Sequence, residues 1–152
     1  MSETFRMVPA TTGSMFWIIG IIGILVLVLL SMFCYILYSS RNTSFEISPE
    51  GLRITGTLYG RLIAKDQIQI ELVKAVNLNV DASHRPSWRT NGIGLPGYGA
   101  GWFQLSNGEK ALLFLTDKSR VVYIPTTAGF SLMLSVPDTA KFIASLKKIT
   151  AQ

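Results

Sequence analysis

Residues Trp102–Ile124 read WFQLSNGEKALLFLTDKSRVVYI, and their alternation of apolar run and turn points to a β architecture. Three short apolar runs, Trp102–Leu105, Lys110–Leu115 and Arg120–Ile124, are separated by turn-forming residues. Runs of this length, rich in Leu, Val, Phe and Tyr, suit strands and are too short for helices. Asn107-Gly108 is the strongest short hairpin signal in the chain, because both residues tolerate a left-handed backbone. Asp117-Lys118 marks the next reversal.

The same texture extends in both directions. Phe45–Ser48 and Leu52–Thr55 alternate around Pro49-Glu50-Gly51, a hairpin pattern. Further strands are expected over Thr57–Ile63, Ile68–Asn79 and Phe130–Ser135. The period then changes. Phe142, Ile143, Leu146 and Ile149 share one helical face, with Lys141, Ser145 and Lys148 opposite. Ser135-Val136-Pro137-Asp138 reads as an N-cap with an acidic residue three positions on. The expected fold is mainly β: a partly open antiparallel barrel of about seven strands, curled to remove exposed edges and capped by a C-terminal helix.

Ahead of this domain, Phe16–Tyr38 is an apolar run with no charge anywhere between Arg6 and Arg41. As a helix it is about 35 Å long, enough to cross a hydrocarbon core of about 30 Å. It is too long for a signal-peptide h-region and ends in bulky residues, so it reads as an uncleaved anchor. The chain divides into a tail (1–15), a transmembrane helix (16–38), a linker (39–44) and a domain (45–150), as a single-pass cell-membrane protein. Arg41, Arg53 and Arg61 follow the span, against Arg6 before it, which tilts the domain towards the cytoplasm.

The net charge of +5 belongs to residues 41–152, which carry 13 Lys and Arg against 8 Asp and Glu. These are scattered, with no concentrated basic face to suggest nucleic acid. Attraction to anionic lipid is the simpler use of the excess. The one cysteine, Cys34, lies in the apolar run, so the domain has no disulfide framework or thiolate metal site.

The order of several short motifs resembles the bacterial pleckstrin-homology-like (PH-like) domains, particularly those with a short membrane anchor. The matching residues are Phe45-Glu46-Ile47, Gly51-Leu52-Arg53-Ile54, Tyr59-Gly60 and Ile68. They continue through Arg89-Thr90-Asn91-Gly92, Pro96-Gly97-Tyr98, Gly101-Trp102-Phe103, Leu134-Ser135, Pro137-Asp138 and Phe142. The resemblance implies a helix-capped barrel, usually without enzymatic activity; no cofactor is expected. Phosphoinositide recognition does not carry over, because the first turn, Ser48-Pro49-Glu50-Gly51, is tight and acidic rather than basic.

No catalytic constellation is visible. His84 is the single histidine and sits with Asp81 and Ser83, too close in sequence to suggest a triad; it reads as a surface-loop residue. The glycines at 92, 94, 97, 99 and 101 lack phosphate-loop spacing and read as punctuation in an irregular loop. That loop is placed at Val80–Gly101. Its Arg85, Trp88, Arg89 and Tyr98 are residue types that anchor a partner or a headgroup layer. The structural alternative, in which Trp88 and Tyr98 fold the loop onto the barrel, is the preferred one. The expected function is a membrane-anchored binding or scaffold module acting through protein–protein interaction or self-assembly. The alternative is recognition of anionic headgroups or a small ligand.

Overall fold

The computed structural model describes Glu3 and residues 13–151, so most of the tail read at 1–15 lies outside the described residues. Helix α1, Gly13–Asn42, contains the apolar run, and Met15–Asn42 is long and apolar enough to cross a membrane. Its large apolar side chains from Met15 to Phe33 are exposed. The stretch read as a linker is helical as far as Asn42, with Arg41 in the last turn complementing the helix dipole. The chain divides into two compact units at Tyr38/Ser39.

The second unit is built from two sheets. A three-stranded antiparallel sheet contains β1 (Ser44–Ser48), β2 (Gly51–Thr55) and β3 (Leu62–Ala64), in that order. Two 3-10 turns, Lys65–Gln67 and Ile70–Leu72, lead to β4 (Lys74–Val76). Strands β5 (Pro86–Leu95), β6 (Tyr98–Leu105), β7 (Lys110–Leu115), β8 (Val121–Pro125) and β9 (Ser131–Ser135) complete a six-stranded sheet of order β4-β8-β9-β7-β6-β5. Helix α2, Thr139–Thr150, follows. The sheets are not closed into one, as expected for a partly open barrel with a C-terminal helix.

Strands β7, β8 and β9 are buried at every position except Lys110 and the half-buried Ser135. A strand can bury successive residues only when both faces of its sheet are covered. On one face, Leu112, Phe114, Val122, Ile124, Leu132 and Leu134 meet Leu52, Ile54 and Ile63 of the small sheet and Leu146 of α2. On the other, Leu113, Leu115, Val121, Tyr123 and Met133 form a second cluster with Val76, Leu78, Phe103 and Leu105. The segment after β4 carries Leu78 onto this outer face. It is held there by backbone hydrogen bonds from Leu78 N–H to Lys118 O (2.8 Å) and from Asn107 N–H to Ser83 O (3.0 Å).

Several particulars depart from the sequence-based expectations. Most of Val80–Gly101 is not loop: it forms β5 and the start of β6, joined at Pro96-Gly97, where Gly97 takes φ 77°. These residues raise the count of strands to nine among the described residues. Thr57–Tyr59 forms a bend and turn, and strand pairing in that segment begins only at Leu62. Ile68–Asn79 is not one strand: it holds an isolated bridge from Ile68 to Thr126, a 3-10 turn and the three residues of β4. Strand β9 inserts between β7 and β8 and pairs with β7 in parallel, so one ladder of the barrel is not antiparallel. The cap of α2 is Asp138 rather than Ser135: the Asp138 carboxylate accepts the Lys141 N–H at 2.9 Å. Ser135 instead uses its hydroxyl to accept from Thr116 N–H and Asp117 N–H, each at 3.1 Å.

Candidate functional site

The four residues singled out in the sequence separate into two kinds. Arg85 is a clasp: its Nε donates to Leu78 O at 2.7 Å, and its Nη2 donates to Asn79 O. The guanidinium of this exposed residue thus bridges two carbonyls of its own loop. Tyr98 is partly buried against the inner core, and its hydroxyl lies 3.1 Å from Ser39 Oγ. Trp88 and Arg89 stand on β5, an edge strand of the large sheet. Trp88 is 69% exposed, so its indole adds little to the core of the domain itself. Successive strand residues point to opposite faces. Trp88 lies opposite Gln104 and Arg89 opposite Phe103 in the β5–β6 ladder.

The Trp88 face carries a group of residues that the sequence alone does not connect. Gln104 and Trp102 share that face of β6, and Lys110 is the partner of Gln104 on β7. Trp102 packs edge-on against Phe130, ring centroids 5.0 Å apart. Two cations sit over its ring: the Arg61 guanidinium at 4.8 Å and the Lys110 ammonium at 4.6 Å. Each contact is within cation–π range. Neither cation has an acidic partner within salt-bridge distance among the described residues. The result is an exposed tryptophan on the same face as a second one flanked by two positive charges.

One signal for this group lies in the β6–β7 connection. The turn has three residues, Ser106-Asn107-Gly108, with Leu105 N–H donating to Glu109 O at 2.8 Å and Gly108 at φ 88°. A two-residue turn at Asn107-Gly108 would shift the register by one and send Lys110 to the opposite face from Trp102.

The outer face holds a polar network. The Tyr123 hydroxyl donates to Glu109 Oε2 at 2.8 Å and lies 3.2 Å from Ser131 Oγ. Burial pushes the Tyr123 phenol up from its ordinary value, and the Glu109 carboxylate adds to the shift. The His84 ring stands edge-on to Tyr123, centroids 4.7 Å apart, and its side chain is only 12% exposed, so it is not the surface histidine expected. His84 Nδ1 is 2.7 Å from Asp81 Oδ2, while Ser83 Oγ is 2.6 Å from Asp81 Oδ1 and 3.0 Å from His84 Nδ1. A relay needs the acid on one ring nitrogen and the nucleophile on the other. Here both crowd Nδ1, so the hydroxyl is a donor to Asp81 rather than an activated nucleophile. The Ser83 hydroxyl, with help from His84, holds the Asp81 carboxyl well below the usual carboxylate range. No group of three His, Cys, Asp or Glu is placed to hold a metal among the described residues.

A family model described as Bacterial PH domain matches residues 43–149. No curated protein and no solved structure matches the chain.

Proposed function

The chain belongs to the bacterial PH domain family, and we propose that it is a non-enzymatic binding and scaffold module, anchored in a membrane by α1 and acting through a protein partner or copies of itself. The observation that carries this reading is Trp88, a large aromatic exposed on an edge strand that shares its face with Trp102 and two cations. Tryptophan and arginine contribute disproportionately to protein interfaces when a partner desolvates them. In this proposal Trp88 is the anchor, Arg61 and Lys110 orient the partner by charge, and Arg89 serves the opposite rim. Arg85 and Tyr98 hold the scaffold. Cross-linking of the full chain in native membranes tests it. Trp88→Ala should abolish the cross-linked species without changing the melting temperature; an unchanged pattern overturns the assignment of Trp88.

A second reading is recognition of an anionic headgroup, favoured by two cations without acidic partners over Trp102 among the described residues. Its test is tryptophan fluorescence of the full chain in nanodiscs of rising anionic content. A salt-reversible change that disappears in the Arg61→Gln, Lys110→Gln double variant supports it, and a response indifferent to both lipid charge and salt rules it out. The basic flank Arg41, Arg53 and Arg61 supports a cytoplasmic domain. Protease should then cut residues 39–152 in inverted vesicles and spare them in right-side-out ones.

A further inference from the structure

We propose that the groove between β1 and α2 is a second docking surface, which takes an extended peptide segment of a partner protein by strand addition. This rests on the protein-binding reading and adds a different surface with a stated chemistry. Strand β1 lies at the edge of the small sheet. Ser48 and Gly51 close the β1–β2 hairpin as a directly opposed pair, with Glu46↔Arg53 and Ser44↔Thr55 following in register. In an antiparallel ladder, hydrogen-bonded pairs alternate with non-hydrogen-bonded ones. Phe45 and Ile47 therefore turn their N–H and C=O groups away from β2. No backbone hydrogen bond reaches those groups from outside the sheet among the described residues.

The side chains of the same two residues line the floor of the groove. Phe45, Ile47, Phe142 and Ser145 are common to two recesses of about 390 and 540 Å³, the first also lined by Lys141 and the second by Lys148 and Ile149. Strand, apolar floor and charged rim thus select one kind of occupant. Free backbone groups call for an extended chain, the floor for apolar side chains at alternate positions, and the two lysines for acidic residues between them. Neither lysine has an acidic partner within salt-bridge distance among the described residues. The carboxylate of Asp138, which also lines the groove, is engaged as the helix cap.

The other edges of the molecule are less suited to addition. Strands β3 and β4 are three residues long, and β5 is interrupted by register shifts between Pro86 and Trp88 and between Arg89 and Asn91. Short edges and bulges are the ordinary defences against strand addition. Strand β1 has neither a bulge nor a proline.

The experiment uses the full chain in phosphatidylcholine nanodiscs. A displayed library of short random peptides is selected on it, with counter-selection on the Lys141→Glu, Lys148→Glu double variant. The expected result is enrichment of peptides alternating apolar and acidic residues. Adding a synthetic copy of one should slow amide exchange at Phe45 and Ile47, and its affinity should fall about tenfold or more in the double variant. Three results overturn the proposal. One is no enrichment. Another is enriched peptides that bind the double variant equally or leave both amides exchanging. The third is amides already protected without peptide in a chain that self-associates, which makes a second copy the occupant. The Trp88→Ala chain should bind the peptide normally, so the two surfaces fail or succeed independently.

Discussion

Gly101 shows how closely the β5–β6 hairpin is built. It takes φ 114°, and a Cβ there would lie 2.6 Å from Asn91 O and 3.1 Å from Tyr59 Cε2. Gly101→Ala should destabilise the domain by about 1–3 kcal/mol, read as a lower denaturation midpoint. Asp117 is a second position where one residue decides a measurable property. Hydrogen bonds from the Ser119 hydroxyl and N–H, then from Arg120, lower its carboxyl to about 2 from an ordinary 3.8. A carboxyl depressed in the folded state contributes stability above its unfolded value and loses it as pH falls through the folded one. The denaturation midpoint should therefore drop between about pH 4 and about pH 2. Asp117→Asn should reduce that slope; an identical slope in the variant would overturn this role for Asp117. Asp81 adds to the slope in the same direction.

Among the helices and strands, the cap of α2 gives the clearest expectation. Asp138→Ala should cost about 1 kcal/mol and fray the first turn of α2, visible as lost helical signal and faster amide exchange at Lys141. The hairpin at 45–55 could be read directly, because its apolar residues alternate around one unambiguous turn and a buried face enforces the register. Strand β5 could not. Its run Ser87-Trp88-Arg89-Thr90-Asn91 is exposed on both faces and lacks alternation, so pairing with β6 rather than any local preference makes it a strand. The candidate site divides the same way. Trp88 and Arg89 could be chosen by residue type, whereas Arg61, Trp102 and Lys110 are brought together by long-range packing and by the register of a three-residue turn.

Burial on both faces of the large sheet explains how a short chain sustains two apolar clusters. Met133 is fully buried in the outer one, so Met133→Ala should cost about 2–5 kcal/mol by leaving a cavity, measured by chemical denaturation. The β class and the terminal helix followed from periodicity, but the insertion of β9 between β7 and β8 did not, since nothing local in Phe130–Ser135 specifies its neighbours. That insertion bears on biosynthesis. Until β9 has left the ribosome, β4 and β8 have no strand to connect them within the sheet to β5, β6 and β7. A chain shortened before β9 therefore lacks the strand that pairs with both β7 and β8.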